Sequence, residues 1–168
     1  MKNAVSRLGA TIVLACLLPL TAEAAQSGKE TSEAELSCLA KAIYFEARGE
    51  PAAGQMAVGQ VILNRTAHED YPSTICGVVY QNASRRNACQ FSFACDGRPE
   101  TITNRDAYAE IEQRAKDLLS CPPSCGGIAA DSTHYHASYV SPTWSRKLTV
   151  LGRIGEHIFY RLGEDQNA

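Results

Sequence analysis

Leu36, Leu39 and Ile43 recur at intervals of three and four, the spacing of the buried stripe of an amphipathic helix, and the next position on that stripe is Glu46. Any fold this chain adopts must therefore bury one face of a helix and house a carboxylate at the end of it. Arg48-Gly49-Glu50-Pro51 reads as the stop, which places Glu46 in the last turn, at the negative end of the helix dipole. Desolvation and the dipole both disfavour the anion, so the spacing predicts a raised pKa. A carboxyl group kept protonated near neutral pH is what a general acid for cleaving an acetal or glycosidic bond requires.

Residues 1–24 read as an export signal: Lys2 and Arg7, an apolar run from Leu8 to Leu20, then Ala22-Glu23-Ala24 as a small-x-small cleavage site. The run is short for a membrane span, and no later stretch approaches the roughly 18 apolar residues that a span needs. A soluble periplasmic or secreted protein is expected, with no stable membrane insertion after cleavage near Ala24. Val13-Leu14-Ala15 before Cys16 offers a lipoprotein alternative, against which the apolar run continues past the cysteine. Of seven cysteines, six remain beyond the leader: Cys38, Cys76, Cys89, Cys95, Cys121 and Cys125. An even set in an exported chain predicts disulfides, whose pairing the sequence leaves open. The spacings miss the usual two-residue zinc knuckle, so no structural zinc is expected. With 16 basic and 18 acidic residues and no basic run, nucleic-acid binding is not suggested.

A polar lead, residues 25–35, precedes a domain at 36–162 and a short tail at 163–168. Ser32 and Glu35 make a capping box expected to start the first helix. Pro51 suits the start of a second, with Gly59 permitting close helix approach and an end near Asn64-Arg65. A helical turn through Ile75, Val78 and Val79 follows. Cys89 to Cys95 alternates with period two, which predicts a strand with Phe91 and Phe93 on one face and Gln90 and Ser92 on the other, ending at Asp96-Gly97. Asn104 is expected to cap a helix that Cys121-Pro122-Pro123 stops. Strands are expected at 133–137, 147–151 and 154–160. Helices first and a small sheet later imply an α+β domain.

Ala42-Ile43-Tyr44-Phe45-Glu46-Ala47-Arg48-Gly49-Glu50-Pro51, followed by Gly54-Gln55-x-Ala57-Val58-Gly59-x-Val61-x-Leu63-Asn64-Arg65, resembles the core motif of the SleB/CwlJ-type cell-wall hydrolases, the spore-cortex lytic family. Pro72-x-Thr74-Ile75-Cys76-Gly77-Val78-Val79-Tyr80-Gln81, Gln90-Phe91-Ser92, Tyr135-His136 to Pro142-x-Trp144 and Ile154-Gly155-x-His157-x-Phe159 are similar to later blocks of that family. The resemblance implies a lysozyme-like α+β fold and cleavage of peptidoglycan strands between N-acetylmuramic acid and N-acetylglucosamine. It implies Glu46 as the catalytic acid.

One carboxylate serves both steps of a lytic transglycosylase, first giving a proton to the glycosidic oxygen and then taking one from the muramoyl O6 hydroxyl. A hydrolytic muramidase usually wants a second carboxylate. Its candidates, Glu50 and Asp96, both sit in turn sequences, which favours the transglycosylase with no cofactor. Gln90, Ser92, Arg48, Tyr135 and Trp144 are candidate glycan-binding residues; Tyr44 and Phe45, like Tyr135 and Trp144, offer stacking surface for sugar rings, with a place in the core as the alternative for all four. Two rival readings stand beside this one. His134, His136 and His157 on neighbouring strands offer the imidazoles of a zinc amidase, without a His-Glu-x-x-His segment. A peptidoglycan-binding module that has lost its chemistry is the other, and the retained Glu46 speaks against it.

Overall fold

A computed structural model describes residues 22–85, 88–121 and 127–162, with side chains from residue 33 onward. Most of the signal segment, Cys125 and the tail at 163–168 lie outside the described residues. Four helices precede a three-stranded antiparallel sheet, the α+β order expected from the sequence.

Helix α1 runs from Ala22 to Ala47, so the capping box at Ser32 does not start it. Strong helix formers such as Ala, Glu and Lys fill the stretch before Ser32 and let the helix extend. Glu35 has another use: its Oε2 accepts the backbone N–H of Ile75, the first residue of α3, where a helix leaves donors unpaired. Leu39 and Ile43 are fully buried on the predicted stripe. Helix α2 (Ala52–Thr66) starts after Pro51 and is buried on nearly every side, from Gly54 through Val58, Val61 and Ile62 to Arg65. It is the axis of the molecule. On one side lie α1, α3 (Ile75–Val79) and α4 (Arg105–Ser120), with Leu39, Ile43, Tyr44, Ile62, Ile111 and Leu118 in one cluster. On the other, Ala57, Val58 and Val61 pack with Phe159 of the sheet. Asn104 caps α4 as expected, its Oδ1 accepting from Ala107 N–H at 3.0 Å.

Strands β1 (His134–Ala137), β2 (Thr149–Ile154) and β3 (His157–Arg161) pair in the order β1-β3-β2, with Tyr135 opposite Phe159 and Ala137 opposite His157. The second and third strands begin two to three residues later than expected. Residues Thr143–Lys147 form a 3-10 turn, and Gly155-Glu156 make the hairpin turn. Gly155 has φ +56°, and a side chain there would collide with the Glu50 carboxylate, so this position needs glycine twice over.

The strand expected at Cys89 to Cys95 is absent, replaced by a loop with a 3-10 turn at Ser92–Ala94. A strand of that length separates its ends by about 20 Å. The Cys89–Cys95 disulfide holds them at 6.1 Å, and the loop still buries both aromatics, with Phe93 stacked 4.8 Å from Phe45. Cys38 joins Cys76, tying α1 to α3, and Cys121 is also disulfide-bonded.

Gly59 lies under Ile43 and Leu118, where a methyl group would come within 2.9 Å of the Ile43 side chain and closer to Leu118. Gly59→Val is expected to lower stability by about 1–3 kcal/mol in urea unfolding. An unchanged midpoint would mean that α1 and α4 move aside freely.

Candidate active site

Glu46 ends the buried stripe of α1 one residue before the helix stops, half-buried, with its carboxyl turned toward the sheet. The Tyr135 hydroxyl of β1 reaches its Oε2 at 3.5 Å, and the backbone of Ser92 lies near enough to favour the carboxylate. Burial pushes the Glu46 pKa up from its ordinary value of 4.5, and it outweighs Tyr135, Arg65 and Ser92, which all favour the carboxylate. The sequence-based expectation of a raised pKa therefore agrees with the geometry, with desolvation as the leading cause. Burial also holds the Tyr135 hydroxyl well above its usual range, so it stays a donor.

These groups open onto a cleft of about 530 Å³. Its lining comes from α1 (Glu46), α2 (Arg65), the loop at 89–96, β1 with the turn after it, and His157 of β3. Burial grades the wall. Arg65 and Phe91 are 3% and 2% exposed and form the floor, while Ser92, Asp96 and Tyr139 are open to solvent at the rim.

Of the glycan-binding candidates, Gln90, Ser92 and Tyr135 line this cleft. Arg48 and Trp144 do not. Arg48 is exposed and lies over the Tyr44 ring at 5.2 Å. Trp144 packs against His134, His136 and Tyr160 on the far face of β1. Tyr44 is fully buried, its hydroxyl accepting from Asn104 N–H at 3.0 Å, and serves the core together with Phe45. Glu50 is committed elsewhere: its Oε2 accepts Glu156 N–H at 2.9 Å and pins the β2–β3 hairpin. Asp96 lines the cleft and accepts Arg98 N–H at 2.8 Å in an Asx turn.

The histidines do not converge. In the strand register, His134 and His136 share a face with Tyr160, whereas His157 falls opposite Ala137 and packs on Tyr135 and Phe159. Both His136 nitrogens are engaged, Nδ1 with Ala137 O at 2.9 Å and Nε2 with the Tyr160 hydroxyl at 2.8 Å. Burial lowers the pKa of His134 to about 4 and lowers that of His157 as well. Among the described residues, no group of three His, Cys, Asp or Glu side chains is arranged to hold a metal ion.

Two residues of the cleft, Arg65 and Tyr139, are not among the site residues expected from the sequence. Arg65 is buried beside Glu46, with Nε donating to Thr133 O at 2.8 Å and Nη1 without a partner. Its signal was available: Val58, Val61 and Ile62 define the stripe of α2, and Arg65 is its next position, as Glu46 is on α1. Tyr139 gives no local signal, because only the folded turn brings it to the rim.

The profile of the family described as Cell Wall Hydrolase matches residues 49–160, beginning three residues after Glu46. Among curated proteins, the chain is similar to a spore cortex-lytic enzyme of Oceanobacillus iheyensis, 46% identical over 129 residues, covering 76% of this chain and 42% of that protein. Another of Halalkalibacterium halodurans is 29% identical over 128 residues, covering 76% and 35%. The chain thus spans about two-fifths of the length of these relatives. Among solved structures, the catalytic domain of the Bacillus cereus SleB protein aligns with a TM-score of 0.57 and 28% identity, covering 76% of this chain and 89% of that one. The catalytic domain of the germination-specific lytic transglycosylase SleB of Bacillus anthracis aligns with a TM-score of 0.58 and 27% identity, covering 76% and 93%.

A folded-state pKa raised above the unfolded value makes Glu46 stabilising while protonated, and that contribution is lost as pH rises through the folded value. Glu46→Gln stays neutral. Its melting temperature relative to the parent is expected to be higher at about pH 8 than at about pH 4, measured by calorimetry. A pH-independent difference would place the Glu46 carboxylate in solvent.

Proposed function

The chain belongs to the cell wall hydrolase family, and from that premise we propose that it cleaves peptidoglycan glycan strands between N-acetylmuramic acid and N-acetylglucosamine, as a lytic transglycosylase. The observation that carries the reading is Glu46: a half-buried carboxyl with a raised pKa, hydrogen-bonded by Tyr135 and open to a cleft of about 530 Å³. Protonated Glu46 gives its proton to the glycosidic oxygen as the bond to C1 of the muramoyl sugar breaks through an oxocarbenium-like state. The N-acetylglucosamine leaves with that proton on its O4. The Glu46 carboxylate then takes the proton of the muramoyl O6 hydroxyl, O6 bonds to C1, and a 1,6-anhydro ring closes with Glu46 protonated again. No water is consumed. Tyr135, Ser92 N–H and the Arg65 cation favour the carboxylate that exists between the two proton transfers. They hold it against the burial that favours the acid. Gln90 and Ser92 supply polar contacts for the sugar N-acetyl and hydroxyl groups.

A second carboxylate suited to hydrolysis finds little support: Glu50 is tied to the hairpin, and Asp96 closes its own turn. The substrate lies outside the cell membrane, and residues 1–24 are read as the signal that takes the chain there, with a domain at 36–162. Among the described residues no helix is long and apolar enough to cross a membrane.

Digestion of purified peptidoglycan by residues 25–168 is expected to release fragments ending in 1,6-anhydromuramic acid, detected by mass spectrometry. Glu46→Gln is expected to lower the rate by about 10²–10⁴-fold. Reducing muramic acid ends would make the enzyme a hydrolase, free stem peptides an amidase, and strand binding without product a binding module. Arg65→Met removes a cation that favours ionised Glu46, so the alkaline limb of the kcat/KM profile is expected to move to higher pH, with Arg65→Lys restoring it. An unmoved limb would remove Arg65 from the site.

A further inference from the structure

Tyr139 is 82% exposed. The other six tyrosines of the chain each pack their ring against an aromatic neighbour, among them Tyr44 on Tyr108, Tyr80 on Phe93 and Tyr135 on His157. Among the described residues no ring lies against Tyr139, yet the residue lines the same cleft as Glu46. A single exposed aromatic is ordinary on a protein surface, so the weight of the argument lies on the place of this ring in the lining of the cleft.

The backbone beneath that ring is firmly mounted. Val140 N–H donates to Ala137 O at 3.0 Å, closing a turn with Ser138 and Tyr139 at its centre. Ser138 N–H donates to Glu156 O at 2.7 Å, and its hydroxyl donates to Glu156 Oε2 at 2.8 Å. Arg153 holds the other oxygen of Glu156 at 2.9 Å. Glu156 N–H in turn donates to Glu50, four residues beyond Glu46. A chain of hydrogen bonds thus fixes the Tyr139 turn to the backbone segment that carries Glu46. The pairing of an unpacked ring with a fixed base is the arrangement of a stacking platform, with little ordering left to occur on binding.

We propose that Tyr139 is a glycan-stacking subsite at the rim of the cleft, receiving the apolar face of an N-acetylhexosamine ring of the strand away from the bond that Glu46 attacks. Pyranose rings of this class present flat C–H faces between equatorial polar groups, so a tyrosine ring covers the C–H face while its hydroxyl stays wet. The subsite rests on the glycan-cleaving reading of the cleft. It also gives Glu50 a role: a positioning residue for the far wall.

The test uses isolated peptidoglycan glycan strands freed of stem peptides, bound to Glu46→Gln protein in calorimetric titrations. Adding Tyr139→Ala is expected to weaken binding about tenfold with an unchanged melting temperature, while Tyr139→Trp in its place binds like the parent. With Glu46 intact, Tyr139→Ala is expected to lower kcat/KM on the same strands by a similar factor, through KM. Equal affinity of Tyr139→Ala and parent, or equal losses for Ala and Trp, overturns the subsite. Strand cleavage that persists in Glu46→Gln, with the Tyr139 effect retained, overturns the catalytic assignment and leaves the subsite standing. No strand binding by the Glu46→Gln parent overturns both.

Discussion

The cleft exists because the end of α2 supplies hydrogen bonds to a stretch of chain with no regular structure of its own. Residues 130–133 lead from the 3-10 turn that ends at the buried Ala129 to the start of β1, and side chains of α2 pair with the carbonyls of Ala129, Ser132 and Thr133. Asn64 Nδ2 donates to Ala129 O at 2.9 Å and Ser132 O at 2.7 Å, and Arg65 Nε donates to Thr133 O at 2.8 Å. Gln60 orients the Asn64 amide by donating to its Oδ1 at 2.8 Å. Buried carbonyls left unpaired cost about 1–3 kcal/mol each, so these donors fix where β1 begins. Tyr135 follows two residues later and meets Glu46. The helical half and the sheet half are joined at this seam, and the hydrogen bond from Tyr135 to Glu46 spans it.

The same seam sets the electrostatics. Burial alone would hold Glu46 as an acid, which suits the first proton transfer of the proposed reaction and hinders the second. Arg65 stands close enough to favour the carboxylate but makes no ion pair with it among the described residues, so the cation moderates the effect of burial without cancelling it. An Arg65–Glu46 ion pair at contact distance would lock the carboxylate in its ionised form. The Thr133 carbonyl holds the guanidinium away from that geometry, with Tyr71 and Phe91 beneath its plane at 5.3 and 5.7 Å. A structural hydrogen bond and an electrostatic setting are thus one interaction seen from two sides.

Much of this was legible in the chain. Glu46 stands out on an apolar stripe, and α2 and α4 follow from their caps and stops, whereas α1 runs through the Ser32 capping box that was expected to start it. Arg65 carries the same signal, although Asn64-Arg65 also reads as a helix end and as the close of the family motif. Period-two alternation at Cys89 to Cys95 was misleading, since a loop closed by a disulfide buries alternate aromatics as well as a strand does. Neighbouring cysteines left the pairing open because Cys38 and Cys76, 38 residues apart, meet only once α1 and α3 pack. Arg48 and Trp144 looked like binding groups by composition, and the register of β1 and the end of α1 turn them away from the cleft. Residue types are local, whereas the lining joins segments as distant as Glu46 and His157.

Glu50 is a carboxylate already committed to a structural contact. It follows Glu46 by one helical turn and looks in sequence like the partner that a muramidase needs. Its carboxylate instead accepts Glu156 N–H at 2.9 Å, lies beside Gly155 where a side chain would not fit, and stands 3.9 Å from His157 Nδ1. Withdrawing it to activate water would release the hairpin turn, and with it the Ser138 bonds that hold the Tyr139 wall. A group whose removal opens the cleft is poorly placed to move during turnover. The exposed Asp96, at the rim, is bound to its own turn. In the proposed reaction the second proton transfer then falls to the group already in position, and one carboxyl acting twice would give the anhydro product rather than water attack.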